Sequence, residues 1–158
     1  MNFLQSQDLS ASPRLELIRQ TQLAQSFHFL GETEKAASMA KDTLEDIIAW
    51  SRDNEYSRDS VWDIMAISAA LAGRYELLTE IREEAINKMD KEADAVRDNV
   101  KRGGLAVALA FSGETDRAWE EIEALLDKPN GYTVWNLRLH PGFKKWFTDL
   151  PEYQLRVR

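Results

Sequence analysis

The side chains that could carry chemistry in this chain are carboxylates, two histidines and a basic stretch beside a glycine pair. Acid/base catalysis needs two carboxyl groups that face one reacting bond. The acid pairs Glu83–Glu84 and Glu120–Glu121 occupy adjacent positions, and adjacent side chains on a helix point in different directions. We interpret these pairs as solvated helix faces.

Metal binding is the second chemistry to consider. The chain has no cysteine, which excludes disulfides, thiolate metal ligands and a cysteine nucleophile. A zinc site would have to combine His28 or His140 with carboxylates, and no spacing in the sequence favours such a set. Both histidines are therefore interpreted as surface or helix-packing residues, and we expect no metal.

Nucleotide-binding and hydrolase motifs are absent from the sequence, because neither GxGxxG nor GxxxxGK[ST] nor GxSxG occurs. Gly103 and Gly104 follow Lys101 and Arg102 and could hold an anion. A kink or a close helix contact explains the two glycines more simply, since glycine weakens a helix interior by ~1 kcal/mol relative to alanine. We expect no catalytic residue, no cofactor and no enzymatic activity.

Composition and charge restrict the location and the partners. The 158 residues are 44% hydrophobic and 30% charged, with a net charge of −7 and a pI near 4.9, which is typical of a one-domain globular protein. Binding nucleic acid requires clustered Lys and Arg, and here they are dispersed. Residues 1–12 do not read as a secretion signal, and no apolar stretch approaches the ~20 residues that cross a bilayer. We expect a cytoplasmic protein that binds neither nucleic acid nor membranes.

Apolar residues at helical spacing predict six long helices. The first begins at Ser12 and Pro13, where we expect the serine hydroxyl to cap free backbone N–H groups. The fifth is predicted over about 92–112, with the glycine pair inside it. The breaks between helices are predicted at Gly31, the polar run 51–60, Gly73, a point near Asp90, Gly113 and Pro129.

Three segments repeat around the turn glycines. Gly31, Gly73 and Gly113 are 42 and 40 residues apart, and the motifs GETEKA and GETDRA begin at the first and the third. Each copy carries a large residue followed by alanine eight residues before its glycine. Because a single helical hairpin cannot bury its own apolar face, such hairpins must stack.

This pattern resembles the tetratricopeptide repeat over about residues 15–129. The resemblance implies an all-α fold of about three stacked antiparallel helix hairpins that form a superhelix. The chain departs from the family in its period, which exceeds the usual ~34 residues, and in Leu78, which replaces an expected alanine. HEAT-like or other α-hairpin arrays are the alternatives.

The tail, from Leu137 onward, is similar to the closing segment of many bacterial tetratricopeptide proteins. The matching positions are Leu137, Arg138, Pro141, Phe143, Pro151 and Tyr153. The resemblance implies a helical cap in which Trp135, Phe143, Trp146 and Phe147 cover the exposed end of the last hairpin. The alternative is an aromatic ligand site. We therefore predict one domain over 1–158, with an arm (1–12), hairpin repeats (13–129) and a cap (130–158).

The resemblance also implies a concave groove lined by the first helix of each hairpin. The groove positions would be Gln22, Gln25, His28, Phe29, Asp63, Ile64, Ile67, Leu71, Arg102, Val107 and Phe111. Such a face is mostly apolar with a polar edge, which suits an amphipathic helix or an extended segment. The alternative for Ile67, Val107 and Phe111 is that they belong to the core.

These observations favour a non-enzymatic module that holds a protein or peptide partner in the groove. One alternative is a regulator that is gated by a peptide or small molecule bound in the same groove. Another is a homodimer or larger assembly formed through Trp50, Trp62 or Trp119.

Overall fold

The computed structural model describes residues 12–53, 58–89, 95–126, 128 and 131–157, and these form an all-α structure. The predicted fold class is confirmed. Its α-helices are α1 (Pro13–Phe29), α2 (Thr33–Asp53), α3 (Trp62–Leu71), α4 (Tyr75–Met89), α5 (Ala95–Phe111), α6 (Thr115–Leu126), α7 (Val134–Leu139), α8 (Pro141–Phe147) and α9 (Pro151–Val157). A 3-10 helix, Arg58–Val61, precedes α3. Nearly all of the predicted arm, the break near Asp90 and the stop at Pro129 lie outside the described residues.

The first six helices form three consecutive hairpins. Gly31, Gly73 and Gly113 have φ values of 84°, 71° and 87°, a left-handed conformation that lets each chain turn fold the second helix back onto the first. The first helices of the hairpins, α1, α3 and α5, also pack side by side, and α2 packs on α3. The three predicted turn glycines are therefore confirmed.

Small side chains allow α3 and α5 to approach closely. Both helices are alanine-rich, and their alanines at 66, 69, 106 and 108 are fully buried. Around this contact lie larger buried residues from the outer helices, including Leu44, Ile47, Leu78, Ile81 and Ile122. Burying one such side chain contributes roughly 1.5–3 kcal/mol. The core thus spans all three hairpins.

Helix α1 begins at Pro13, as predicted, but one predicted cap and one predicted boundary differ from the structure. The Ser12 hydroxyl makes no capping hydrogen bond; its carbonyl instead accepts from the N–H groups of Leu15 and Glu16 at 3.0 and 3.3 Å. Helix α2 continues to Asp53, three residues into the predicted loop. The polar Ser51 is accommodated because its hydroxyl donates to the carbonyl of Ile48 at 2.9 Å.

The three C-terminal helices pack on the last hairpin and on each other. Phe147 of α8 is fully buried and its ring lies 5.5 Å from Trp119 of α6, measured between centroids. The Tyr153 hydroxyl donates to the carbonyl of Leu137 at 3.4 Å, which ties α9 to α7. In the described part of the chain, no helix is long and apolar enough to cross a membrane.

Candidate functional site

An aromatic cluster joins the first hairpin, the third hairpin and α8. Phe29, at the end of α1, lies 5.6 Å from Phe111, at the end of α5. The Trp146 ring of α8 completes the triangle, at 5.7 Å from Phe29 and 4.8 Å from Phe111. His28 packs edge-on against Phe111 at 5.0 Å. Three of the predicted groove residues are therefore brought together, and the chain's own C-terminal segment covers them.

The start of α8 places Trp146 in this cluster. Pro141 occupies the first turn, and the Nδ1 atom of His140 accepts from the N–H of Gly142 at 3.2 Å, so the imidazole caps the helix. The His140 ring also stacks on Phe143 at 4.1 Å. A β-carbon at Gly142 would overlap the Trp146 indole, so glycine lets the ring fold back over the helix. The sequence pattern did not reveal this capping role of His140.

The C-terminal segment also contacts the middle of α5, beside the start of α3. A β-carbon on Gly103 would lie 2.8 Å from the phenol ring of Tyr132, and one on Gly104 would lie 2.8 Å from the α-carbon of Asp63 in the first turn of α3. The glycine pair is therefore explained by close contacts, one with the C-terminal segment and one between α5 and α3. Segment 132–146 runs from this contact to the aromatic cluster at the C-terminal ends of α1 and α5.

Burial governs the ionisation of the groups beneath this segment. The pKa of Asp63 is raised by burial, an effect that the Ile64 N–H and the charges of Arg14 and Lys101 partly offset. Burial and the nearby Asp63 carboxylate both raise the pKa of Tyr132. Asp63 therefore packs against the chain itself, whereas the sequence placed it on an open groove edge.

Both histidines belong to the covered region. Burial lowers the pKa of His28, and the charge of Lys145 on α8 lowers it further. Burial alone lowers the pKa of His140. Because the uncharged imidazole is favoured at both positions, the aromatic cluster is most stable with neutral histidines.

Six further predicted groove residues fall into two groups. Four apolar residues are buried: Ile64, Ile67, Leu71 and Val107. For Ile67 and Val107 this agrees with the alternative that they belong to the core. Gln22 is exposed and Gln25 is partly buried.

Arg102 is not a groove residue. Its guanidinium lies 3.2 Å from the Glu121 carboxylate of α6, and Arg82 of α4 lies 3.2 Å from the other oxygen. The Glu121 side chain is only 12% exposed, so its negative charge needs these cations. Arg102 therefore points toward α4 and α6, and Glu121 is not the solvated acid that its neighbour Glu120 is.

Lys101 is also engaged within the protein. Its side chain is 4% exposed, and its ammonium lies 4.8 Å from the centroid of the Trp62 ring, within the range of a cation–π contact. Arg102 is held by Glu121, whereas the buried Nζ atom of Lys101 has the Trp62 ring beside it and no hydrogen-bond partner among the described residues. The anion-binding alternative for this stretch is therefore answered for Arg102 and not for Lys101.

The tryptophans correct two expectations. Trp62 and Trp119 are buried in the core, so neither can form a dimer face, and Trp50 is partly buried. Trp135 was expected to cover the last hairpin, but it is 65% exposed. Trp146 reaches beyond the last hairpin to the first.

No group of three or more metal-ligating side chains is present among the described residues. Comparison of the chain with protein-family models, curated proteins and solved structures finds no match.

Proposed function

We propose that the protein is a non-catalytic interaction module that binds a helical segment of a partner protein in the groove of α1, α3 and α5. The observation that carries the proposal is the contact of Trp146 with Phe29 and Phe111. In this contact a short helix of the chain itself lies against the ends of α1 and α5, the two outer helices of the proposed groove. The tetratricopeptide resemblance supports the same mode of binding.

Helix α8 indicates which partners would fit. Its Trp146 reaches the ends of α1 and α5, whereas Phe143 stacks on His140 and Phe147 packs on Trp119 of α6. Trp146 is therefore the anchor that a partner would have to replace. A partner helix would need a comparable aromatic side chain on an apolar face, the pattern by which amphipathic helices enter apolar grooves.

Competition with α8 sets the affinity that such a partner shows. A tethered segment acts at an effective concentration in the millimolar range, so α8 occupies the groove in most molecules. The apparent affinity for a free segment is reduced to the fraction of molecules in which α8 has left the groove. Removing the Trp146 ring weakens the tethered competitor by about 2 kcal/mol, less than the loss for a fully buried tryptophan. The apparent affinity for a free segment should then rise about 30-fold.

The test uses a fluorescent peptide that copies residues 139–150. Anisotropy titrations would compare the unchanged protein with the Trp146→Ala variant, and the control peptide would carry alanine at the position of Trp146. We expect tight binding only for the tryptophan peptide and the variant. Equal affinity for both proteins, or for both peptides, would contradict the proposal.

A further inference from the structure

Helix α7 exposes large apolar side chains that the fold does not use. Trp135 is 65% exposed and Leu139, one turn later on the same face, is 76% exposed. Their neighbour Leu137 is fully buried, so α7 itself is firmly seated on the protein. Exposed apolar residues that adjoin one another commonly mark an interaction surface.

These two side chains border a recess of about 400 Å³ between α7 and the start of α8. Its principal lining residues are Tyr132, Trp135, Asn136, Leu139, His140 and Phe143. One side of the recess is the first turn of α7. A local hydrogen bond fixes this turn, because the N–H of Thr133 donates to Oδ1 of Asn136 at 2.7 Å. Such an aromatic-walled recess can accept one bulky apolar side chain.

The part of the chain that forms this recess carries a formal charge opposite to that of the rest of the sequence. Residues 1–127 contain 14 Lys and Arg against 25 Asp and Glu, a formal charge of −11. Residues 128–158 contain six against two, a formal charge of +4, and no acid occurs between 128 and 148. The surface thus combines apolar and positive character on an otherwise acidic protein.

One cation lies directly at the exposed tryptophan. The guanidinium of Arg138 sits 5.5 Å from the centroid of the Trp135 ring, and it also donates to the carbonyl of Val157 at 2.6 and 3.2 Å. Anchored in this way, the guanidinium is held beside the apolar face. The side chain of Lys144 on α8 is exposed as well.

We propose that this α7 surface is a docking site for an acidic amphipathic segment of a partner protein. An apolar side chain of the segment enters the recess against Trp135 and Leu139, and its carboxylates lie near Arg138 and Lys144. The complementary charges accelerate association and disfavour basic segments. The recess shares His140 and Phe143 with the start of α8, so it is present while α8 is seated and does not require the groove to be open.

The test titrates three fluorescent helical peptides that share one apolar face built from Leu and Phe. Their polar faces carry Glu, Gln or Lys. We expect saturable binding of the Glu peptide, weaker binding of the Gln peptide and none of the Lys peptide, with an affinity that falls as salt rises. Binding of the Gln peptide as tight as that of the Glu peptide would overturn the proposal.

Variants locate the site. Trp135→Ala/Leu139→Ala should weaken the Glu peptide by about tenfold or more, since buried anchors dominate such interfaces. Arg138→Gln should weaken it and reduce the salt dependence. The control Tyr75→Ala removes an exposed aromatic residue from α4 and should leave the affinity unchanged. Both altered α7 side chains are exposed, so circular dichroism should show an intact fold.

Two other occupants of this surface would overturn the proposal. The first is an anionic lipid surface, indicated if vesicles of phosphatidylserine and phosphatidylcholine bind through Trp135 and Leu139 while the Glu peptide does not. The second is another copy of the chain, indicated if sedimentation gives a mass that rises with concentration and returns to the monomer in Trp135→Ala/Leu139→Ala. Equal peptide affinity for the double variant and the unchanged protein would also refute it.

Discussion

Trp146 in α8 contacts Phe29 at the end of α1, with 5.7 Å between the ring centroids. The last part of the chain is thereby tied to the first hairpin. Phe111 contacts both rings, so three elements that are distant in sequence share one aromatic cluster. The ends of α1 and α5 are consequently in contact with the C-terminal segment.

The contact between α3 and α5 should not tolerate a side chain at Gly104. A β-carbon there would overlap that of Asp63 and lie 2.8 Å from its α-carbon, so Gly104→Ala must push the helices apart. We expect a loss of about 1–3 kcal/mol in the free energy of unfolding, measured with urea. Alanine would otherwise stabilise a helix by ~1 kcal/mol, and a more stable variant would refute the close contact.

Gly103 provides the matched control for that substitution. The three atoms nearest to its added β-carbon all belong to Tyr132. Gly103→Ala should therefore be unfavourable in the unchanged protein and favourable, by up to ~1 kcal/mol, in a Tyr132→Ala background. An identical effect in both backgrounds would show that Tyr132 does not cover this glycine.

The ion pairs of Glu121 should contribute more to the free energy of unfolding than the exposed acidic side chains of α6 do. Glu121→Gln leaves Arg82 and Arg102 without their counter-charge in a site where the carboxylate is 12% exposed. We expect a loss of about 2 kcal/mol, less than the roughly 3–5 kcal/mol of a fully buried pair. Glu120→Gln, on the exposed neighbour, should change stability by less than about 0.5 kcal/mol. Equal effects in thermal unfolding would contradict this assignment.

Protonation of His140 should weaken the attachment of α8. Its pKa is lowered from 6.5 by burial, so the folded state favours the neutral ring. Stability from a lowered histidine pKa is present above the unfolded value and is lost as the pH falls through about 6.5. Protonation also removes the Nδ1 acceptor that caps α8. Unfolding should therefore become easier between pH 7 and pH 5.5.

His140→Asn separates this effect from other titrations. Asparagine is a good helix cap that does not titrate in this range. The variant should match the unchanged protein most closely near pH 7 and should have a flatter pH dependence, with His28 contributing what remains. An unaltered pH profile would exclude His140 as the titrating group.

The turns of this fold could be predicted from the sequence because they are local. Gly31, Gly73 and Gly113 each end a helix by adopting positive φ, a property of a single residue in its immediate context. Helical periodicity likewise predicts which apolar side chains share one face of a helix. The all-α class follows from these short-range signals alone.

The composition of the site depends on contacts that periodicity does not encode. Arg102 lies on the predicted groove helix, yet it pairs with Glu121 because a partly buried carboxylate needs a cation. Trp146 could be assigned to the cap, but no local signal indicates that it reaches Phe29 rather than stopping at the last hairpin. The exposed face of α7, with Trp135, could not be predicted either, because the sequence pattern leads one to expect aromatic side chains to be covered.

The most direct test of the proposed binding mode measures whether a bound partner segment moves α8 out of the groove. The chain lacks cysteine, so spin labels can be placed at Leu30→Cys and Lys144→Cys alone, both at exposed positions. In the Trp146→Ala background, pulsed electron paramagnetic resonance should give one short distance between the two labels. That distance should lengthen when the 139–150 peptide saturates the protein. A distance between the two labels that is unchanged at saturation would show that the peptide does not displace α8.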